Sequence, residues 1–233
     1  MDSSHVAVVS FSIKAENFEH YRVDRNFSLG VDTRMISKIL RRLDNNNILT
    51  LRADESADTV NFCIQSTEND KEQYSFDIKK LNIDSERLNI PEKDYDCNIN
   101  INSSDFARVC QDLSNLDETV TLSADGKGVV FEVSGEAGSG KIEMRQSGDE
   151  GTTKRMKIVM NEDTKTLSQK YALSYLLSFV KASSLANDVT LCISENTPLL
   201  VEYEIDDFGF LRFYLAPKVF EEDDDGEEET PNE

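Results

Sequence analysis

The stretch TRMISKILRRLDNNNILTLRADESADTVNFCI (33–64) holds the pattern on which the fold turns. Its first third places Met35, Ile36, Ile39, Leu40 and Leu43 on one helical stripe and Arg34, Lys38, Arg41 and Arg42 on the other face. The remainder alternates, breaks at a polar turn and alternates again, as two antiparallel strands require. The spacing therefore predicts a helix over 33–43 and strands over 48–52 and 59–65.

The same event recurs twice. A helical period over 103–116 precedes TVTLSADGKGVVFEV (119–133), and one over 165–182 precedes DVTLCISENTPLLVEYEI (188–205). The first two hairpins share a TL-x-AD core, so the chain reads as an internal repeat with helices starting roughly 60 to 70 residues apart. Further strands are expected over 6–13, 74–78, 97–101, 141–146, 156–160 and 210–215. Three helices among so many strands define an α+β class of antiparallel sheets.

With 233 residues the chain is long enough for two small domains. Residues 96–218 hold two helix-bearing units and residues 1–79 only one, so the first domain is expected to lack half of itself. Residues 80–95 mix polar residues with Leu88, Ile90 and Pro91 and read as a connecting loop. The tail EEDDDGEEETPNE has nine acidic residues in 13, too few apolar groups to offset ordering, and residues 219–233 are expected to be disordered.

The net charge of −20 favours solubility and ordinarily argues against nucleic acid. No apolar run is long enough to span a bilayer, and the first residues lack a signal peptide's basic and apolar regions, so a soluble intracellular protein with no membrane partner is expected. Cys63, Cys97, Cys110 and Cys192 are scattered without CxxC spacing or a histidine pair, which points to reduced core thiols and no metal.

The charge is segregated. The three predicted helices carry eight basic residues (Arg34, Lys38, Arg41, Arg42, Arg108, Lys165, Lys170 and Lys181) against Asp105 and Asp112, a sum of +6 inside an acidic chain. The third helix is expected to turn Leu173, Leu176, Leu177 and Val180 inward and Lys170, Ser174 and Lys181 outward. Basic residues on helix faces are also what a merely solvated surface carries. Their confinement to all three helices points instead to a stripe that phosphates could occupy.

No catalytic constellation is present. His5 and His20 are the only histidines, and there is no GxSxG, P-loop or dinucleotide fingerprint. The turn GEAGSGK (135–141) lacks P-loop spacing and reads as a glycine-rich hairpin or an entry to an edge strand. An enzyme is not expected, nor any cofactor.

The stretches MDSSHV (1–6), YRVDRN (21–26), SKIL (37–40), LRADESADT (51–59), RLNIPEKDY (87–95), FARVCQDLS (106–114), SGEAGSG (134–140) and LAPK (215–218) resemble, in order along the chain, those of the eukaryotic proliferating cell nuclear antigen family. The resemblance implies a DNA-clamp fold of two similar domains, assembled as a nuclear homotrimeric ring with helices inside and sheets outside. Such a ring encircles double-stranded DNA without sequence preference and tethers DNA polymerase and other replication and repair proteins. It also implies a clamp loader as partner. In the family MDSSHV lies well inside the first domain, so a preceding strand-helix-strand unit is expected to be missing. A shortened clamp that binds partners or joins mixed trimers as a competitor, without encirclement, is the alternative reading.

Three sites follow from the resemblance. The partner-peptide pocket corresponds to His5, Val6, Val8, Leu88, Ile90, Pro91, Pro198, Tyr214, Ala216 and Pro217, into which partners insert a helical turn with aliphatic and aromatic anchors. Apolar Leu88, Ile90 and Pro91 on a polar linker fit that role, although such residues also pin linkers to sheets. The DNA-facing positions are Lys38, Arg41, Arg108 and Lys181, with Arg34, Arg42 and Lys170 as neighbours, while Gln111 and Ser174 stand where the family often has a basic residue. Subunit contacts correspond to residues 72–79 and 137–145. The family's modified lysine corresponds to about Gly126, which makes the adjacent Lys127 the candidate for modification.

Overall fold

A computed structural model describes residues 4–68, 72–82, 94–136, 138–146 and 156–218. The chain divides into two compact units, 20–92 and a larger one formed by 1–19 with 93–233. Leu88, Ile90, Pro91 and the acidic tail lie outside the described residues.

The larger unit opens with β1 (Ala7–Ile13) and continues through β5 (Cys97–Asn102), α2 (Ser103–Leu113), β6 (Thr119–Asp125), β7 (Gly128–Gly135), β8 (Gly138–Arg145), β9 (Lys157–Met160), β10 (Thr166–Ala172), α3 (Leu173–Phe179), a 3-10 turn (Val180–Ser184), β11 (Asp188–Ile193), β12 (Leu199–Ile205) and β13 (Gly209–Leu215). The smaller unit holds α1 (Thr33–Leu40), β2 (Asn47–Ala53), β3 (Thr59–Ser66) and β4 (Gln73–Lys79). Each helix leads into a two-stranded hairpin, β2–β3, β6–β7 or β11–β12, so the repeat read in the sequence is a repeat of structure.

The larger unit contains a six-stranded sheet ordered β1-β13-β12-β11-β5-β9 and a four-stranded sheet ordered β10-β6-β7-β8, both antiparallel. Their inward residues and those of α2 and α3 form one core that includes Phe106, Leu122, Phe131, Tyr171, Leu176, Leu191 and Tyr203. Side chains alternate across a strand, so the register of the six-stranded sheet sends Val9, Phe213, Val201, Leu191, Ile99 and Ile158 to the inner face as one row. Phe179 of α3 stacks on Phe213 at 4.4 Å between ring centroids and fixes the helix on that face. All four cysteines are free and buried.

The smaller unit is a three-stranded sheet, β2-β3-β4, with α1 on one face. Ile39 of α1 packs on Val60, Phe62 and Ile64 of β3. Asp32 caps α1 by accepting from the Arg34 amide at 2.8 Å, and Asn102 caps α2 by accepting from the Ser104 amide at 3.2 Å.

Several expectations need correction. The helical reading of 165–182 is wrong in its first half, because residues 166–172 are β10 and pair with β6. Lys170 is a strand residue and Lys165 precedes the strand, so neither belongs to a helix. Helix α1 ends at Leu40 and leaves Arg41 and Arg42 in the following turn. Within the observed α1, α2, α3 and 3-10 turn the basic residues are Arg34, Lys38, Arg108 and Lys181, against Asp105 and Asp112, so the helical excess of positive charge is smaller than the sequence suggests. Met35 and Leu40, expected in the apolar stripe of α1, are 44% and 39% exposed, because a three-stranded sheet covers only the centre of the stripe at Ile36, Ile39 and Leu43.

A related feature appears at the sheet edges. Val9 and Phe11 of β1 and Leu51 of β2 are each 55% exposed, although register places them on the core side beside buried Phe213 and Phe62 or half-buried Leu211. Among the described residues nothing covers these edge positions.

Candidate partner-peptide groove and cationic helix faces

The described residues expected to take a partner peptide lie where β1 meets β13. His5 precedes β1 with φ of 58°, a left-handed conformation that costs a non-glycine residue about 1 kcal/mol or more and turns the chain into the strand. The half-buried Val6 accepts from the Ala216 amide at 2.9 Å through its carbonyl, which ties the start of β1 to the end of β13. Val8 stands directly opposite Tyr214, and both point to the outer face.

Register extends this outer row to Leu200, Cys192, Asn98 and Val159. Tyr95 borders the row and donates its hydroxyl to the carbonyl of exposed Pro198 at 3.4 Å. Burial pushes the Tyr95 phenol up to about 12, with Cys192 and Tyr214 adding to the rise. The outer face here therefore presents Val8, Tyr214 and Leu200 in one row, with Pro198 and Tyr95 beside it and half-buried Ala216 and Pro217 following β13. Sequence reading named Val8, Tyr214, Pro198, Ala216 and Pro217 but missed Leu200 and Tyr95. The alternation of LLVEYEI hinted at Leu200, whereas the placement of Tyr95 depends on contacts about 100 residues away in sequence.

The cationic candidates are divided between the two units. In the smaller unit Arg34, Lys38, Arg41 and Arg42 are exposed; Arg34 pairs with Asp32 at 3.2 Å and Arg42 lies 5.8 Å from the Tyr74 ring centroid. The hydrogen bond from Arg34 holds the Asp32 carboxyl below its usual range. In the larger unit Arg108 of α2 is exposed and pairs with Asp105 at 3.6 Å, while Lys181 is exposed on the 3-10 turn that packs against α2. Lys170, on β10, is bridged to Lys218. Lys38, Arg41 and Lys181 make no ion pair among the described residues.

Lys127 is exposed at the tip of the β6–β7 hairpin. The Asp125 carboxylate accepts from the Lys127 and Gly128 amides at 2.9 and 2.8 Å, which lowers its pKa and fixes the turn. Gly128 is required there, since a Cβ would lie 2.8 Å from the Met144 carbonyl oxygen. Among the described residues no group of acidic, histidine or cysteine side chains could hold a metal ion. No helix of the described residues is long and apolar enough to cross a membrane.

Comparison with known families agrees with this architecture. Residues 1–87 match the family described as proliferating cell nuclear antigen, N-terminal domain, and residues 89–218 match its C-terminal domain. The chain is also 42% identical over 220 residues to a proliferating cell nuclear antigen of Chaetomium thermophilum, an alignment that covers 94% of this chain and 83% of that protein. The antiparallel sheets and helix-hairpin repeats are those of a DNA-clamp fold of two similar domains. The chain belongs to the proliferating cell nuclear antigen family, whose members are non-enzymatic sliding clamps of DNA replication and repair.

Proposed function

We propose that this chain is a sliding-clamp subunit that assembles as a homotrimer in the nucleus, encircles double-stranded DNA and tethers DNA polymerase and other proteins carrying clamp-interacting peptides. The observation that carries the reading is the match of both clamp domains along the chain, on a fold whose helices and adjoining turns expose unpaired cations. Lys38, Arg41, Arg108 and Lys181 contact phosphates, with Arg34 and Arg42 beside them; Lys170 supports this less, being a strand residue. Phosphate contacts carry no base information, which is what movement along DNA requires.

In this reading 1–79 and 96–218 are the clamp domains along the sequence, although β1 of the first pairs with β13 of the second, 80–95 is the connecting loop and 219–233 an acidic tail. Val6, Val8, Pro198, Tyr214, Ala216 and Pro217, with His5, take the partner peptide, and the family resemblance alone assigns the same role to Leu88, Ile90 and Pro91. Subunits join through β4 and β8, which support the idea by being edge strands of their sheets. A clamp loader opens the ring, and Lys127 accepts a modifying group at its exposed hairpin tip.

A second reading, a partner-binding competitor that joins mixed trimers without encirclement, is favoured by the uncovered apolar positions Val9, Phe11 and Leu51. Light scattering on the purified chain at several concentrations, followed by loading onto nicked circular DNA, separates the two. A stable trimer retained on circles and lost on linearisation is the expected result. A monomer that still binds partner peptides would replace the clamp reading with the competitor.

A further inference from the structure

A polar cleft of about 710 Å³ opens at the end of the six-stranded sheet, lined by residues from the start of α2, the loop before β11 and the β12–β13 turn. Ser103, the first residue of α2, lines it and is 1% exposed, yet its hydroxyl has no hydrogen-bond partner among the described residues. Buried hydroxyls are seldom left in that state, because losing water without gaining a partner is costly.

The backbone and amide groups nearest the hydroxyl are already spent. Asn102 accepts from the Ser104 amide at 3.2 Å and donates its side-chain amide to the Asn187 carbonyl at 2.9 Å, a carbonyl that also takes the Ser103 amide at 2.8 Å. Asn100 donates to the Thr190 hydroxyl at 3.2 Å. What remains is acidic. Asp188, Glu204, Asp206 and Asp207 line the cleft, are exposed and make no ion pair among the described residues. Thr190 pairs with Glu202, so two residues further along each strand Asp188 and Glu204 face one another on the outer side of the sheet. Like charges in that relation repel, and a cation between them removes the penalty. No lysine, arginine or histidine is among the described lining residues.

The start of a helix by itself favours an anion, with about half a positive charge. Four carboxylates outweigh it, and the Ser103 and Ser104 amides are already bonded, so the cleft selects a cation. No group of acidic, histidine or cysteine side chains among the described residues could hold a metal ion. An ammonium or guanidinium group fits instead, since its several N–H donors can meet the carboxylates and the Ser103 oxygen together. The volume is far more than one such head fills, which leaves room for the chain that carries it.

We propose that this cleft binds an arginine or lysine side chain of a basic peptide segment, its head held by Asp188 and Glu204 and donating to the Ser103 hydroxyl oxygen. The cleft shares no residue with the row of Val8, Tyr214 and Leu200, and the proposal does not depend on ring assembly.

The test is fluorescence anisotropy on the full chain at low salt, with a labelled glycine–serine peptide carrying an arginine pair. Ser103→Ala is expected to weaken binding about tenfold, as loss of a hydrogen bond to a charged donor does, without lowering the thermal midpoint, because the hydroxyl has no partner to lose in the free chain. Asp188→Asn with Glu204→Gln is expected to weaken it about tenfold or more, and serves alone should Ser103→Ala fold poorly. Glu162→Gln with Asp163→Asn removes the same charge from an exposed turn outside the cleft and is expected to cost less than about twofold.

Equal losses for the two charge-removing pairs would show a response to net charge alone and would overturn the proposal. Unchanged affinity in Ser103→Ala, or a peptide with citrulline for arginine that binds as well, would do the same. Spermidine that displaces the peptide at the peptide's own concentration would overturn the peptide assignment in favour of a free polyamine, whereas displacement only at far higher concentration supports it.

Discussion

Replacing Lys38 and Arg41 by glutamine tests the cationic faces through the salt dependence of DNA binding. Each phosphate neutralised on a duplex contributes about 0.9 to the slope of log affinity against log salt, through release of condensed counterions. Lys38 and Arg41 are exposed and unpaired among the described residues, so each can release a counterion in full. Arg34 and Arg108 already hold Asp32 and Asp105, and a phosphate must displace a carboxylate to reach them. Lys38→Gln with Arg41→Gln should therefore lower the slope by about 1.8 per chain, and Arg34→Gln with Arg108→Gln by roughly half of that or less. Between about 50 and 200 mM salt, the first pair should erase close to tenfold of the affinity loss that the natural chain suffers. Fluorescence anisotropy with a labelled duplex across a potassium chloride series measures both slopes. An unchanged slope for Lys38→Gln with Arg41→Gln, or a larger change for the paired arginines, would refute the reasoning.

Gly209 lies against β1 so closely that a Cβ would stand 2.0 Å from the Ser12 carbonyl oxygen. Gly209→Ala should prise β1 from β13, cost about 2–3 kcal/mol and weaken peptide binding, whereas Gly126→Ala, with nothing within 4 Å, should leave the thermal midpoint unchanged; equal midpoints for the two would contradict this. Burial pushes Cys97 up to about 11 and Cys110 and Cys192 up to about 12, so a thiol reagent at mildly alkaline pH should leave these three unmodified until the chain unfolds. A native-state thiol that reacts at once would show that its strand opens. Asp32, Asp54 and Asp125 all have lowered pKa values, from hydrogen bonds to Arg34, to Ser56 and to the Lys127 and Gly128 amides respectively. Their stabilisation is complete above the ordinary carboxylate value of about 3.9 and fades as pH falls through the lower folded values, so Asp125→Asn should decline less steeply as pH falls below that value; an identical acid limb would exclude the contribution.

Much was legible from sequence because it is local. The hairpins that follow each helix alternate at period two on both sides of a polar turn, and ILTLRADESADTVNFCI needs no distant partner to be read. Strand β10 was missed for an equally physical reason. Its buried positions are Leu167, Gln169 and Tyr171, and an inward glutamine breaks the apolar alternation. Gln169 is tolerated because it donates to the Ser194 carbonyl at 2.7 Å and accepts from the Tyr171 hydroxyl at 2.8 Å, partners invisible to any local pattern.

The sequence by itself determined the α+β class and the repeat, since periodicity is carried by neighbouring residues, and its short signature stretches carried the resemblance to the family. Only the tertiary structure decided that β1 pairs with β13 at the edge of the six-stranded sheet and that Leu200 and Tyr95 lie beside Val8, Tyr214 and Pro198. Those contacts join residues up to about 200 positions apart, and their register is set by which sheet face each strand must bury, a choice made by the whole core at once.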